Sequence, residues 1–282
     1  MAVFDRRSRR KFKTAIFLGF TVASTALALV ALAAILVSLL VEGIGGLNLQ
    51  VFTQSTPAPG SMGGLANAIV GSLMLSALAM AAAVVVGVLA GTWLAEYSAD
   101  NAYARVVRFV NDVLLSAPSI LIGLFIYQVM VAPAHGFSGF AGATALALIA
   151  TPVVTRTTED VLKLQSRQLR ESGVALGAPL WTTIRLIMWR AAGGGIITGA
   201  LLAFARISGE TAPLLFTSLN NQFFSLDMRR PIANLPVVIF NFALSAYDDW
   251  RRLAWVGALL IAGAVLAINI AVRALSREPR RS

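Results

Sequence analysis

Long uninterrupted apolar stretches dominate the order of residues along this chain. A helix needs about 20 mostly apolar residues to cross a hydrocarbon core of about 30 Å. Six stretches approach or exceed this length: 14–41, 65–95, 113–132, 140–155, 191–216 and 253–272. The pattern predicts an all-α integral membrane protein with six transmembrane helices. Because the fourth stretch is short and the fifth contains a charge, a five-span arrangement is the alternative.

Prolines and segment lengths refine this pattern. Residues 231–245 are apolar, but two prolines and a length of about 15 residues favour a re-entrant or interfacial helix over a span. Pro118 in the third stretch and Pro152 in the fourth predict kinks. The first stretch is longer than the apolar region of about 7–15 residues in a secretory signal peptide, so we interpret it as a retained helix.

The positions of lysine and arginine predict the orientation, because these residues favour the cytoplasmic side of short loops. They number six in 6–13, none in 42–64, two in 96–112, none in 133–139, six in 156–190 and four in 273–281. This alternation predicts that both termini are cytoplasmic. The last outer segment differs, since it contains four arginines beside three aspartates, as in an external contact surface or a solvated loop.

The composition agrees with a membrane protein, with 57% hydrophobic and 13% charged residues and a mean hydropathy of +0.77. The net charge is +10, but 18 of the 23 basic residues fall on the predicted cytoplasmic side. Anionic lipid attracts basic residues there, so the charge gives no reason to expect nucleic-acid binding.

Several kinds of chemistry are excluded by the residues that the chain lacks. It has no cysteine and a single histidine, His135, which excludes thiolate sites and a multi-histidine metal cage. It also lacks the Gly-x-x-x-x-Gly-Lys-Ser/Thr sequence that binds nucleotide phosphates. We therefore expect no metal site, no catalytic residue and no cofactor in this chain, and any ATP must be bound by a partner.

The predicted cytoplasmic loop 156–190 is the longest inner connection. Its sequence predicts two short amphipathic helices around Gly177, with Pro179 placed to start the second. Such a helix either docks in the groove of a partner or lies on lipid, and the pattern alone does not choose between them.

A motif in this loop resembles the E-A-A-x3-G-x9-I-x-L-P loop of ABC importer permeases. Glu171 is followed six residues later by Gly177, and Ile187 comes ten residues after that glycine. The chain departs from the motif at Ser172-Gly173, in place of two alanines, and at Trp189-Arg190, in place of Leu-Pro. The resemblance implies that Glu171 faces a basic residue of an ATPase subunit and that Gly177 permits a turn. It assigns Ala175 and Leu176 to the same docking surface.

A second string, Ala-Arg-Ile-Ser-Gly-Glu-Thr-Ala-Pro-Leu-Leu-Phe-Thr at 205–217, resembles the permease subunits of ABC-type phosphate importers, and the likeness covers about residues 60–275. It implies a type I ABC importer permease fold in a bacterial inner membrane. The implied partners are a sister permease, two ATPase subunits carrying ATP and Mg, a phosphate-binding protein, inorganic phosphate and lipid. The resulting division is 1–62 for the tail, first helix and periplasmic loop, 63–275 for the permease core, and 276–282 for a basic cytoplasmic tail.

The fifth stretch contains the candidate transport residues. Gly195 and Gly199 form a small-residue face that lets two membrane helices approach closely. Arg206 lies about 22 Å beyond residue 191 at 1.5 Å per residue, which places it inside the bilayer. Because a charge at that depth is costly in lipid, Arg206 should face protein or water. Glu210 follows four residues later on the same helical face and could pair with it. This pair is either a gate on a phosphate path or a structural ion pair, and Arg156 is either an exit residue or an ordinary anchor.

Three alternatives remain from the sequence. The substrate could be another tetrahedral oxyanion, such as sulfate or molybdate. The chain could be a secondary transporter or channel without an ATPase, with the loop at Glu171 lying on lipid. It could also be a structural subunit, in which an apolar pair would replace Arg206 and Glu210 without loss of activity.

Overall fold

The structure is a computed structural model that describes residues 2–98 and 101–275, and the side chains of 10–98 and 101–274. The predicted basic tail 276–282 lies outside the described residues. Within the described ranges the chain is helical with no strand. The helices are α1 (Ala2–Gly45), α2 (Leu49–Thr53), α3 (Ala66–Thr92), α4 (Ala102–Ser116), α5 (Ser119–Ile126), α6 (Ala132–Ala134), α7 (Gly139–Lys163), α8 (Arg167–Ala175), α9 (Leu180–Thr183), α10 (Trp189–Ser208), α11 (Ala212–Leu215), α12 (Leu235–Ala243) and α13 (Asp248–Leu275).

In the described part of the chain, three π-helical segments extend or join these helices. They are Trp93–Tyr97 after α3, Tyr127–Val131 between α5 and α6, and Ile184–Met188 between α9 and α10. A π segment carries one extra residue per turn and is often found at functional sites.

Five helical segments of the described chain are long and apolar enough to cross a membrane. They are Arg10–Gly45, Ala66–Tyr97, Gly139–Lys163, Leu180–Ser208 and Asp248–Ala274. A sixth span exists if Ala102–Ser116 and Ser119–Ala134, which meet at 105°, count as one broken span. The all-helical prediction is therefore confirmed, with five or six spans.

The third predicted span, 113–132, is not a continuous helix. It begins inside α4, stops at Ala117 and resumes after Pro118. Proline has no backbone N–H to donate and disfavours helical geometry at the preceding residue, and Ala117 is extended with ψ of 135°. The predicted kink at Pro118 is confirmed as a full break, whereas α7 runs continuously through Pro152.

The boundaries of the fourth and fifth spans were predicted wrongly. Helix α7 continues to Lys163, so Arg156 lies inside a helix and the loop shortens to 164–179. The second loop helix is not separate, because α9, the π segment and α10 form one 29-residue helix, Leu180–Ser208. This helix ends eight residues before the predicted end at 216, with Gly209 at its C-terminal cap.

Helix α7 lies at the centre of the fold, between two glycine-bearing faces. A Cβ atom on Gly195 would lie 2.5 Å from Val161 Cγ1, and one on Gly199 would lie 2.1 Å from Thr157 Oγ1. On the other side, a Cβ on Gly87 of α3 would lie 2.7 Å from Val154 Cβ. The absence of these side chains lets α3 and α10 approach α7 closely, as small residues do between membrane helices.

The short helix α12 confirms the prediction that 231–245 does not span. Its cap residue Asn234 is fully buried; its Oδ1 accepts from Val237 N at 3.1 Å and its Nδ2 donates to Ser218 Oγ at 3.1 Å. The backbone N of Leu235 donates to Ser72 Oγ of α3 at 2.8 Å. These bonds fix α12 against α3 and the segment that follows α11.

Candidate functional site

The predicted docking loop forms an exposed helix and turn. Ser166 caps the N-terminus of helix α8, and its Oγ accepts from Leu169 N at 3.3 Å. Two residues beyond the end of the helix, Gly177 is left-handed with φ of +73°. Gly177 N donates to Val174 O at 2.9 Å and Ala178 N donates to Gly173 O at 3.2 Å. This is a Schellman termination, which explains the glycine.

One side of this helix and turn carries three exposed apolar side chains next to an exposed glutamate. We define the docking surface as Glu171, Val174, Ala175 and Leu176. Val174 is 60% exposed and Leu176 is 85% exposed, while Ala175 is also exposed. The Glu171 side chain is 66% exposed and pairs with Arg167 at 3.2 Å. Adjacent exposed apolar side chains beside a carboxylate are typical of a surface that contacts either a partner protein or a lipid interface.

The two departures from the importer loop motif have structural explanations. A Cβ on Gly173 would lie 2.5 Å from both Cγ2 and Oγ1 of Thr183, so glycine lets α8 pack directly on α9. Trp189 donates from Nε1 to Thr92 Oγ1 at 3.0 Å and packs edge-on against Trp181 with ring centroids 5.4 Å apart. Without a proline at 190, the helix passes from α9 into α10 through the π segment.

Sequence reasoning missed two groups of ion pairs, each built on a buried glutamate. Arg170 of α8 pairs with Glu96 of the π segment Trp93–Tyr97 at 2.9 Å, and the Glu96 side chain is 3% exposed. These hydrogen bonds with Glu96 raise the pKa of Arg170 above its ordinary value, against the opposing effect of burial. In the second group, Glu159 of α7 contacts Arg108 at 2.7 Å and Lys163 at 2.5 Å. Both groups join segments that the hydropathy pattern treats separately.

The predicted ion pair between Arg206 and Glu210 is not present in the structure. Arg206 lies in the last turn of α10, and Glu210 lies beyond the helix end, where its N donates to Ile207 O at 3.2 Å. No ion pair joins the two side chains, both of which belong to the described residues. Arg206 is exposed and stands at the negative end of the helix dipole, which favours a cation.

Arg156 is placed separately from these residues. It is an exposed residue of α7 that pairs with Asp160, four residues later, at 3.2 Å. Among the described side chains it makes no hydrogen bond or ion pair with Arg206 or Glu210. The three residues predicted for the transport path therefore remain predictions, and the structure leaves them unconnected.

Near Arg206, an open groove lies between α10 and α13. It has a volume of about 500 Å³ and includes Ala205, Gly209, Asn269 and Arg273 in its lining. A second groove of about 390 Å³ lies between α3, α10 and α13 and is almost wholly apolar. In the part of the chain that the structure describes, no group of three or more His, Cys, Asp or Glu residues could hold a metal ion.

Comparison with known proteins places the chain among membrane transport components. Residues 83–281 match the family described as "Binding-protein-dependent transport system inner membrane component". The phosphate transport system permease protein PstA of Haemophilus influenzae is 52% identical over 264 residues, covering 94% of each chain. The protein of the same name from Yersinia pestis is 51% identical over 271 residues, covering 96% of this chain and 92% of the relative. The probable phosphate transport system permease protein PstA of Methanocaldococcus jannaschii is 33% identical over 274 residues, 97% of each.

A solved structure shows the same fold at low sequence identity. A chain of the MetNI methionine ABC transporter in an inward-facing conformation superposes with a TM-score of 0.61 at 16% identity. The match covers 76% of this chain and 96% of that chain. The likeness concerns the fold alone and confirms the predicted type I ABC importer permease fold.

Proposed function

Because the chain belongs to the family of binding-protein-dependent transport system inner membrane components, we propose that it is the permease subunit of an ATP-driven importer of inorganic phosphate. The observation that carries the proposal is the 52% and 51% identity, over nearly the full length, to proteins named phosphate transport system permease PstA. The exposed docking surface on α8 supports the dependence on a partner for ATP.

The proposed complex lies in a bacterial inner membrane and contains four kinds of subunit. This chain forms half of the translocation path with a sister permease, PstC. Two copies of an ATPase, PstB, bind ATP and Mg and contact the docking surfaces, with Glu171 facing a basic residue. A phosphate-binding protein, PstS, delivers phosphate at the outer face. Closure of the ATPase pair would move the docking surfaces and alternate access to the path, with no catalytic residue in this chain.

In this proposal Arg206 binds phosphate transiently on the path. Its guanidinium can form two parallel hydrogen bonds to a tetrahedral oxyanion and stays charged at any physiological pH. Its exposure and the absence of a pair with Glu210 leave these donors available in the isolated subunit. Glu210, which lies beyond the end of α10, is a second candidate residue on the path. Arg156 would contact the ion closer to the predicted cytoplasmic side.

The path is tested by phosphate uptake and ATP hydrolysis in proteoliposomes that contain the whole complex. We expect Arg206→Ala to lose phosphate uptake while the subunits still co-purify. Arg206→Lys should be intermediate, because it keeps the charge but not the fork. Normal phosphate uptake by Arg206→Ala would show that this residue is not on the path. Stimulation of ATP hydrolysis by sulfate rather than phosphate would show that the substrate is sulfate.

Docking is tested by co-purification of the ATPase with the tagged chain. Glu171→Ala should weaken the association by about tenfold, the effect of losing one central contact residue. Arg167→Ala is the matched control, because it removes the same 3.2 Å ion pair and leaves the carboxylate in place. Equal losses in both variants would show that the pair, rather than a contact of Glu171 with the ATPase, matters. Phosphate uptake that survives without ATP would instead indicate a secondary transporter.

A further inference from the structure

The guanidinium of Arg170 joins α8, the helix that carries the docking surface, to two membrane-spanning segments at once. Its Nε donates to both carboxylate oxygens of Glu96, at 3.2 Å and 2.9 Å, and its Nη2 donates to Glu96 Oε1 at 2.9 Å. Its Nη2 also donates to Leu162 O at 2.7 Å, and its Nη1 donates to Gln165 O at 2.9 Å. Helix α8 is thereby bound to the π segment after α3 and to the end of α7.

The π segment Trp93–Tyr97 is held from a second direction by another arginine. Arg108 of α4 donates from Nη2 to Leu94 O at 3.1 Å, and its Nε donates to Glu159 Oε1 of α7 at 2.7 Å. The ends of α3 and α7 are therefore joined to each other through Arg108 and to α8 through Arg170. Movement of α8 relative to these ends would break several charged hydrogen bonds together.

Resting on the proposed function, we infer that Arg170 is the positioning residue that transmits movement of the docking surface into α3 and α7. A planar guanidinium bonded to a carboxylate by several donors fixes both distance and orientation, whereas apolar contacts can slide. Gly173, which has no side chain, lets α8 pack closely on Thr183 of α9 but supplies no side-chain hydrogen bond. Arg167, three residues earlier on the same helix, has a side chain that is 90% exposed, and among the described residues it pairs only with Glu171, so it lacks this connection.

The test compares Arg170→Ala with Arg167→Ala in proteoliposomes that contain the full complex. The measured quantity is phosphate transported per ATP hydrolysed. Arg170→Ala should still co-purify with the ATPase and hydrolyse ATP, but should transport at least about fivefold less phosphate per ATP, the lower end of typical coupling between distant sites. Arg167→Ala should match the wild type in this ratio. Glu96→Gln, which keeps the side-chain size, should resemble Arg170→Ala.

A reversible cross-link separates transmission from a general structural effect. Because the chain has no cysteine, the double variant Glu96→Cys/Arg170→Cys can be labelled at two sites only, with partner subunits that lack reactive thiols. A short bifunctional methanethiosulfonate should restore the phosphate-to-ATP ratio, and reduction should abolish it again. A loss of the ratio that came from misassembly elsewhere in the complex would not be recovered by a tether at these two positions.

Three outcomes overturn the inference. The first is a normal phosphate-to-ATP ratio in Arg170→Ala or Glu96→Gln. The second is loss of ATPase co-purification in Arg170→Ala, which would make Arg170 part of the docking contact. The third is a phosphate-to-ATP ratio that does not recover on cross-linking. Failure of the proposed function is distinguishable, because the wild-type complex would then show no ATP-dependent phosphate uptake.

Discussion

The contact of Gly199 with α7 gives a sharp quantitative prediction. In Gly199→Ala the new Cβ would lie 2.1 Å from Thr157 Oγ1 and 2.7 Å from Thr157 Cβ, so α10 or α7 must shift. Overpacking of this kind destabilises by about 1–3 kcal/mol, and the short distances place this case at the upper end. Alanine also gains about 1 kcal/mol of helix propensity over glycine. We expect a net loss of about 2 kcal/mol.

Gly194→Ala provides the matched control on the same helix. A Cβ there meets nothing within 4 Å, so only the propensity gain of about 1 kcal/mol applies. The difference between the two variants isolates the contact with Thr157, at about 3 kcal/mol. Thermal unfolding of the purified protein in detergent measures this difference as a lower midpoint for Gly199→Ala.

A second-site change tests the same reasoning. Thr157→Ala removes the Oγ1 and Cγ2 atoms that crowd position 199 but leaves its Cβ, so Gly199→Ala/Thr157→Ala should recover part of the lost stability. If Gly199→Ala unfolds at the same temperature as Gly194→Ala, the close approach of α10 to α7 is refuted.

Three further predictions concern single contacts. Gly177→Val should cost about 1–2 kcal/mol, because valine is strained in the left-handed conformation, and should weaken ATPase co-purification. Gly177→Asn should have a smaller effect, and equal effects of the two variants would contradict the φ of +73°. Asn234→Ala removes the cap on Val237 and should lower the free energy of unfolding by about 1–2 kcal/mol in thermal denaturation, while an unchanged midpoint would argue against the cap. Trp189→Phe keeps the ring packing but loses the 3.0 Å bond to Thr92, so a stability loss of about 1 kcal/mol is expected in the same assay.

The spans were predictable because hydropathy measures the cost of placing side chains in lipid, but their ends were not. The predicted end of α7 at 155 left out the next eight residues, which continue the helix. In that part of α7, Glu159 pairs with Arg108 and Lys163. A charge that looks like a loop residue in isolation can continue a helix when its partners come from elsewhere. Similarly, α10 stops at Ser208, eight residues before the predicted end of the span at 216.

The local geometry of the candidate site could be predicted where the motif is local. Glu171 and Gly177 lie within one helix and its turn, which the structure shows and leaves exposed, while docking on an ATPase stays a prediction. The Arg170–Glu96 pair was not predictable, because its members are 74 positions apart and each resembles an ordinary charge beside a membrane span. The sequence pattern also placed Glu210 on the same helix as Arg206, which the helix end at Ser208 prevents.

The contact between Gly173 and Thr183 constrains how this family can change over time. The importer motif has alanine where this chain has Gly173, and that alanine's methyl group would fall 2.5 Å from Thr183. The two positions should therefore co-vary: relatives with alanine at the first should carry a smaller residue at the second, and relatives with threonine at the second should keep glycine. In this chain, alanine at position 173 should force α8 and α9 apart unless position 183 also carries a smaller residue.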